Sequence, residues 1–454
     1  MKVLFVNPPF VRYSTANGKD PLEISRVMFH PIYRKYPIIM KIWNKFREKD
    51  LRFGVRAGSR WPWTSNDPIA PLHYPFIMAY SVSYLRSHNI EADLIDAVAQ
   101  EKYSYKKFLN DVIKHNPDIV VIETSTPTFD IDIALAEKIS KFAEVALAGP
   151  HLTFYAKMNQ EKYPFVKYLL KGEYIKSSLR MIQTRKKGIY ESDFVQDLDS
   201  IPYPYRDYPE ATKYFDFTMP TEQPQLQIYG SKGCPFKCTF CLWPQTMYMR
   251  KVALRTPEKV AKEIKYCLKE YGYKSIFFDD DTFNIGYERI SKLCDELKKI
   301  GFPWTMMGRL DCSPDWLFDK MVDSGCVGMR FGVETFTVDI MKNIGKALDR
   351  IDYKKALRRL TKKYPKLMLR IFMMKSLPGQ TQKMHENDIK IAESMGFLKE
   401  GNIYRQIQIS NCAPFPGTKM FDDLLKDRGE KMLNFDYSLY DGNRQTVMSS
   451  LSTV

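Results

Sequence analysis

Cys234, Cys238 and Cys241 fall within eight positions, in the run Gly233-Cys-Pro-Phe-Lys-Cys-Thr-Phe-Cys241. Three thiolates at this spacing can wrap a cubane iron–sulfur cluster from a single loop and leave one iron without a protein ligand. An open iron is what a cluster needs to bind and reduce a small molecule. Structural zinc is the competing assignment, but it wants four ligands, and no fourth Cys or His lies close by in sequence. The other five cysteines (Cys267, Cys294, Cys312, Cys326, Cys412) are scattered, which suits buried packing residues. Eight cysteines in 454 residues are too sparse for a disulfide framework. In a reducing compartment a tight cluster reads as metal binding.

The elements around this loop repeat a strand–helix pattern. Strands are predicted at Leu226–Tyr229, Ser275–Phe278, Trp304–Met307, Val327–Val333, Leu367–Met373 and Arg405–Ser410. Helices are predicted at Pro257–Tyr271, Tyr287–Ile300, Pro314–Ser324, Asp352–Tyr364 and Met384–Met395. Six such units predict an incomplete (β/α)6 barrel of the TIM type over residues 225–420, with its site at the carboxyl ends of the strands.

The first 190 residues alternate in the same way. Apolar runs at Val3–Val6, Ala92–Ile95, Ile119–Ile122, Val145–Ala148 and Val166–Leu170 are interleaved with helical stretches at Ile77–His88, Tyr105–Lys114 and Ile131–Phe142. Such strands, apolar on both faces, belong in a parallel, doubly wound, Rossmann-like α/β sheet. Ligands sit at the carboxyl edge of such sheets. That edge carries Asn7-Pro8-Pro9, Asp96, Thr124-Ser125-Thr126, Gly149-Pro150-His151 and Gly172-Glu173. Residues 10–73 interrupt the alternation as an insertion. A linker is expected at 191–224, with Pro202, Pro204, Pro209, Pro220 and Pro224, and a C-terminal extension at 421–454.

No window reaches the ~18 uninterrupted apolar residues of a membrane span. The start, MKVLFVN, runs straight into a strand without a signal-peptide pattern, so a cytoplasmic protein is expected. The net charge of +16 suits a phosphorylated substrate, an anionic surface or a solubilising lysine coat, and no nucleic-acid motif accompanies it.

The C-x-x-x-C-x-x-C loop after the first strand of a partial barrel resembles the radical S-adenosylmethionine (SAM) superfamily. Met1–Pro9, Tyr74–Asp96, Pro117–Thr126 and Val145–Thr153 resemble the cobalamin-binding domain that precedes the barrel in its class B members. The resemblance covers most of the chain apart from the insertion and the last ~30 residues. It implies that Cys234, Cys238 and Cys241 hold a 4Fe-4S cluster whose open iron chelates SAM. Phe240 would then lie against the adenine, Asp279 and Asp280 would meet the SAM amino group, Arg309 its carboxylate, and Glu334 the ribose hydroxyls. Leu377-Pro-Gly379 and Pro414-Phe-Pro-Gly417 resemble further loops of the family. Asn7, Pro8, Thr124, Ser125, Gly149 and Glu173 would line the cobalamin edge. Many cobalamin folds use Asp-x-His-x-x-Gly, whose His ligates cobalt. Here the stretch reads Asp96-Ala-Val98-Ala-Gln, which implies cobalamin bound base-off without a protein ligand, or no longer bound.

The activity implied is that of a cobalamin-dependent radical SAM methyltransferase acting on an unactivated carbon of a small-molecule or lipid-linked substrate. The alternative is a class B enzyme that cyclises, contracts a ring or deoxygenates without net methylation; Cys241-Leu-Trp-Pro-Gln resembles members acting on hopanoid and other lipid-linked compounds. A non-enzymatic cobalamin- or cluster-based sensor is the reading from another class. An electron donor such as flavodoxin or ferredoxin is the implied partner. Within the insertion, Arg34–Arg60 holds nine basic and two acidic residues, and Ile39, Ile42, Trp43 and Phe46 follow helical spacing. Such a helix suits a substrate lid, peripheral membrane contact or simple packing on the barrel.

Overall fold

The computed structural model describes residues 1–9, 72–100, 105–216, 219–346, 351–397, 402–429, 437 and 440, with the backbone alone at 55–56 and 64–65. The cationic helix expected within 34–60 lies outside the described residues, as does most of 421–454. Contacts divide the chain into two compact units. The first holds Met1–Asp193, Pro204–Glu210 and Asp436–Ser438, and the second the remainder.

The first unit is a six-stranded parallel sheet: β1 Lys2–Asn7, β2 Glu91–Asp96, β3 Ile119–Glu123, β4 Glu144–Ala148, β5 Tyr168–Leu170 and β6 Gly188–Tyr190, in the order β2-β1-β3-β4-β5-β6. Ile119, Val120, Val121 and Ile122 are all fully buried, as a strand covered on both faces requires. Burying each such side chain favours folding by roughly 1.5–3 kcal/mol. The chain reverses its winding direction between β1 and β3, the switch point at which a doubly wound sheet opens a ligand crevice.

The expected strands and helices of this unit are present within three residues at each end. Two helices and a strand are additional: Pro150–Lys162, Ile175–Thr184 and β6. The first had no amphipathic pattern to reveal it. Its sequence, PHLTFYAKMNQEK, mixes both faces and breaks at Tyr155, whose φ and ψ are −94° and 19°.

The second unit is a parallel sheet in strict chain order: β7 Gln225–Ile228, β8 Ser275–Phe278, β9 Trp304–Gly308, β10 Cys326–Glu334, β11 Met368–Lys375 and β12 Arg405–Asn411. The strands pair in an open row with β7 and β12 at opposite edges, so the barrel is incomplete as expected. The connecting helices are written plainly in the sequence. In Pro257–Tyr271, Pro257 occupies the first turn, where no N–H is needed. Val260, Ala261, Ile264 and Cys267 form its buried stripe, and Gly272 ends it in the left-handed region, φ 69°. Ile276, Phe278, Met306, Met329, Phe331, Leu369, Ile371 and Met373 build the core shared with the helices. The alternate residues of each strand therefore face the barrel interior.

Candidate active site

The cysteine loop follows β7 and is held in place through its backbone. Gly233 has φ +80°, and a Cβ there would lie 2.0 Å from the Lys251 carbonyl oxygen, so only glycine fits. The amide of Gly233 donates to Asp281 Oδ2 at 2.8 Å. Asp280 accepts from the Gly230 amide at 2.9 Å and from the Ser231 hydroxyl at 2.5 Å. From the other side, the Gln245 amide donates to the carbonyls of Cys241 at 2.6 Å, Thr239 at 3.2 Å and Cys238 at 3.4 Å. Its oxygen is anchored by Arg250 Nη2 at 2.6 Å and by the Lys419 amide at 2.9 Å. Arg250 also donates to the Phe236 carbonyl at 3.1 Å. A loop whose polar groups are satisfied internally presents its thiols in a set geometry.

The donor chemistry fits a cluster. Burial pushes the Cys234 and Cys241 thiols up, and the neighbouring sulfurs add to it at Cys241. A bound cation reverses that preference, because coordinated thiols are deprotonated. Among the described residues, no three Cys, His, Asp or Glu side chains converge on a position for a single metal ion. A cubane makes a different demand, since each thiolate binds its own iron. The five scattered cysteines are all buried. Cys267, Cys294 and Cys326 pack in the barrel core and Cys412 in a smaller one. Cys312 lies beside Arg309 and Asp311, where burial pushes its thiol up to about 12.

The other expected site residues cluster at the same strand ends, with some engaged otherwise than the sequence suggests. Asp279 is fully buried at the tip of β8, whereas Asp280 braces the turn before the cysteines as described above. Arg309 directly follows β9, but its fork is taken bidentately by Asp311, at 2.9 and 2.6 Å. Its remaining nitrogen reaches Cys238 Sγ at 3.5 Å, and the guanidinium lies 3.9 Å from the centre of the Phe236 ring. Burial opposes the charge on Arg309, but the Asp311 hydrogen bonds hold its pKa above the usual value. Glu334 ends β10 in a left-handed conformation, φ 68°, rare for a non-glycine residue and costing on the order of 1–3 kcal/mol. Buried Lys346 holds it at 2.9 Å and also donates to the Gly332 carbonyl. Phe240 packs against Ile340, Ile344, Leu377, Cys412 and Met420. Sequence reasoning missed Gln245, Arg250, Asp311 and Lys346 as members of this assembly. Only Gln245 stood near a recognised motif.

In the first unit, Asn7, Pro8, Thr124, Ser125, Gly149 and Glu173 are buried along the carboxyl edge of the sheet. Asn7 Nδ2 donates to Asp96 Oδ1 at 2.9 Å, and the same oxygen accepts from the amides of Val98 and Ala99. Asp96 thus caps its own turn. A Cβ on Gly149, φ +109°, would lie 2.0 Å from the Thr124 carbonyl oxygen, so glycine lets these two strand ends approach. Asn7 Oδ1 and His151 Nε2 are buried without a hydrogen-bond partner among the described residues, as expected where a ligand completes an edge. An imidazole does stand on this edge, at His151 rather than at position 98. Burial pushes its pKa down to about 3, so it is neutral, and the rings of Phe129 and Tyr437 lie 4.0 and 4.6 Å away.

The radical SAM superfamily profile matches residues 228–391, within the second unit. The chain is 25% identical over 375 residues to an uncharacterized methyltransferase of Pyrococcus horikoshii, covering 77% of this chain and 78% of that one. Among solved structures it is similar to the radical SAM methyltransferase TsrM of Kitasatospora setae, with cobalamin and a [4Fe-4S] cluster bound. The TM-score is 0.62 at 12% identity, covering 78% of this chain and 75% of TsrM. It is also similar to the cobalamin-dependent SAM radical enzyme OxsB, with a TM-score of 0.59 at 17% identity, covering 86% of this chain and 59% of OxsB. At these identities the two structures establish a shared fold. No described helix is long and apolar enough to cross a membrane.

Proposed function

We propose that this chain is a cobalamin-dependent radical SAM methyltransferase that methylates an unactivated carbon of a small-molecule substrate, free or lipid-linked. The observation that carries it is the clasped three-cysteine loop at the mouth of an open barrel, in a chain whose other unit is a doubly wound sheet with an incompletely satisfied polar edge. Cys234, Cys238 and Cys241 are the cluster ligands. Gln245, Arg250, Asp280 and Asp281 set the backbone from which those thiols project. Arg309, locked by Asp311, directs an N–H at Cys238 rather than waiting for a carboxylate. Asp279 and Glu334 face the amino group and ribose of SAM, and Phe240 its adenine. Asn7, Pro8, Thr124, Ser125, Gly149 and Glu173 receive cobalamin, held base-off because Val98 replaces an axial histidine. When bound, the cluster and SAM supply hydrogen abstraction, and cobalamin supplies the methyl group. The electron donor is a flavodoxin or ferredoxin.

Anaerobic reconstitution followed by mass spectrometry of the products tests this reading. Turnover should release deoxyadenosine and add one methyl group to the substrate. Deoxyadenosine with an isomerised or dehydrated product would select the non-methylating alternative. Absence of any SAM cleavage under dithionite would point to a sensor.

A further inference from the structure

The inner face of the barrel is unevenly charged and unevenly covered. Arg330 on β10 and Arg370 on β11 are register partners, each lying between residues of the helix-side core, so both face inward. Arg330 is buried, ion-paired with Asp216, and 4.7 Å from the centre of the Phe277 ring. Arg370 has no such arrangement. No acceptor among the described residues reaches its Nε or Nη1. Burial alone acts on the guanidinium and pushes its pKa down to about 10, with no carboxylate among the described residues opposing it. A cation partly withdrawn from water without a counter-charge is costly, and proteins seldom keep one without use.

Its surroundings explain what that use is. On the inner faces of β7 to β10, Gln227, Phe277, Thr305 and Arg330 are buried. On β11 and β12, Arg370, Phe372, Met374, Gln406, Gln408 and Ser410 are only half-buried. The accessible part of the interior therefore lies along the last two strands, next to the open edge of the barrel. Arg370 pairs in register with Gln406, and Phe372 with Gln408. The wall thus offers a planar cationic fork, amide donors and an apolar ring, the usual means of fixing an oxyanion attached to a carbon skeleton.

We propose that Arg370 anchors an anion-binding position inside the barrel that takes a carboxylate or phosphate group of the substrate. This rests on the reading of the barrel as a radical SAM active site. It adds that the substrate carries an anionic group.

The test uses the full chain with its cluster reconstituted, and inorganic phosphate and acetate as probes. Phenylglyoxal modifies accessible arginines, and peptide mass spectrometry reads Arg370 individually. Phosphate or acetate at ten times its dissociation constant should slow modification of Arg370 about tenfold, while chloride at matched ionic strength should not. In parallel, either probe should raise the Tm of the wild type but not of Arg370→Met, and Arg370→Met should melt no lower than the wild type without anion. Unprotected Arg370 together with no anion-dependent rise in Tm would overturn the proposal. Protection by SAM alone would assign the position to the cofactor's own carboxylate and overturn it equally. A several-degree loss of Tm in Arg370→Met with the anion response retained would make the residue structural. None of these readouts needs methyl transfer. A non-methylated product with protection intact would sink the reaction assignment and leave the anion site standing.

Discussion

The two units solve the same architectural problem, a parallel sheet with its chemistry at the carboxyl edge, in opposite ways. In the second unit the cysteine loop is braced from three directions, by Asp280 and Asp281, by Gln245 with Arg250, and by Arg309 with Asp311. In the first unit Asn7 Oδ1 and His151 Nε2 remain unsatisfied among the described residues, and the turn is capped mainly by Asp96. The contrast follows from how each cofactor would be held. Metal–thiolate bonds need three sulfurs placed accurately before the cluster arrives, so the protein must fix the loop by itself. A large corrinoid is held by many weak contacts, and part of the edge can be completed by the ligand.

The comparison breaks first at the cysteines. Changing any one of Cys234, Cys238 or Cys241 to Ala should abolish SAM cleavage and most cluster iron; full activity in a triple variant would remove the cluster assignment. Next come the two glycines, one in each unit. Gly233→Ala and Gly149→Ala each combine a positive φ with a Cβ 2.0 Å from a carbonyl oxygen, and each should cost more than about 2 kcal/mol by chemical denaturation. The difference lies in the cofactor lost. Gly233→Ala should lower bound iron and spare cobalamin retention through gel filtration, and Gly149→Ala should do the reverse. A smaller effect is expected at Gln245. Gln245→Ala strips a donor from three loop carbonyls, at about 1–3 kcal/mol for unsatisfied groups, and should reduce iron retained after desalting without preventing assembly. Unchanged retention would show that the loop is set by its other braces.

Arg309→Gln is subtler still. A charged N–H···S contact stronger by ~1.4 kcal/mol in the reduced than in the oxidised cluster raises a one-electron potential by about 59 mV, so its loss should lower the potential by that much, readable by electron paramagnetic resonance titration. If SAM affinity falls sharply instead while the potential holds, Arg309 binds the SAM carboxylate and its pairing with Asp311 gives way on binding. The smallest effect should come from Cys312→Ser. Cys312 is buried beside Asp311 but belongs to no expected ligand set, so iron content should stay at about four per chain.

The order of strands and helices in both units followed from apolar runs and amphipathic stripes, because burial on one or two faces leaves a periodic trace along the chain. The cysteine spacing likewise declared itself, since a cluster held by one loop needs its ligands near in sequence. What the sequence could not declare is pairing at a distance. Even the local pair is hidden: Arg309 looks like any arginine beyond a strand until the turn after β9 brings Asp311 into its fork. Gln245 and Lys419 lie 174 residues apart and meet only when the barrel forms. Arg330 and Arg370 read as two basic residues on apolar strands, and only the folded chain shows that Arg330 meets Asp216 while no acceptor among the described residues reaches Nε or Nη1 of Arg370. Local periodicity is a property of neighbouring residues, and the sequence carries it alone. Whether a charge is satisfied depends on which distant chain segments the fold brings within about 3 Å of it, and only the tertiary structure decides that.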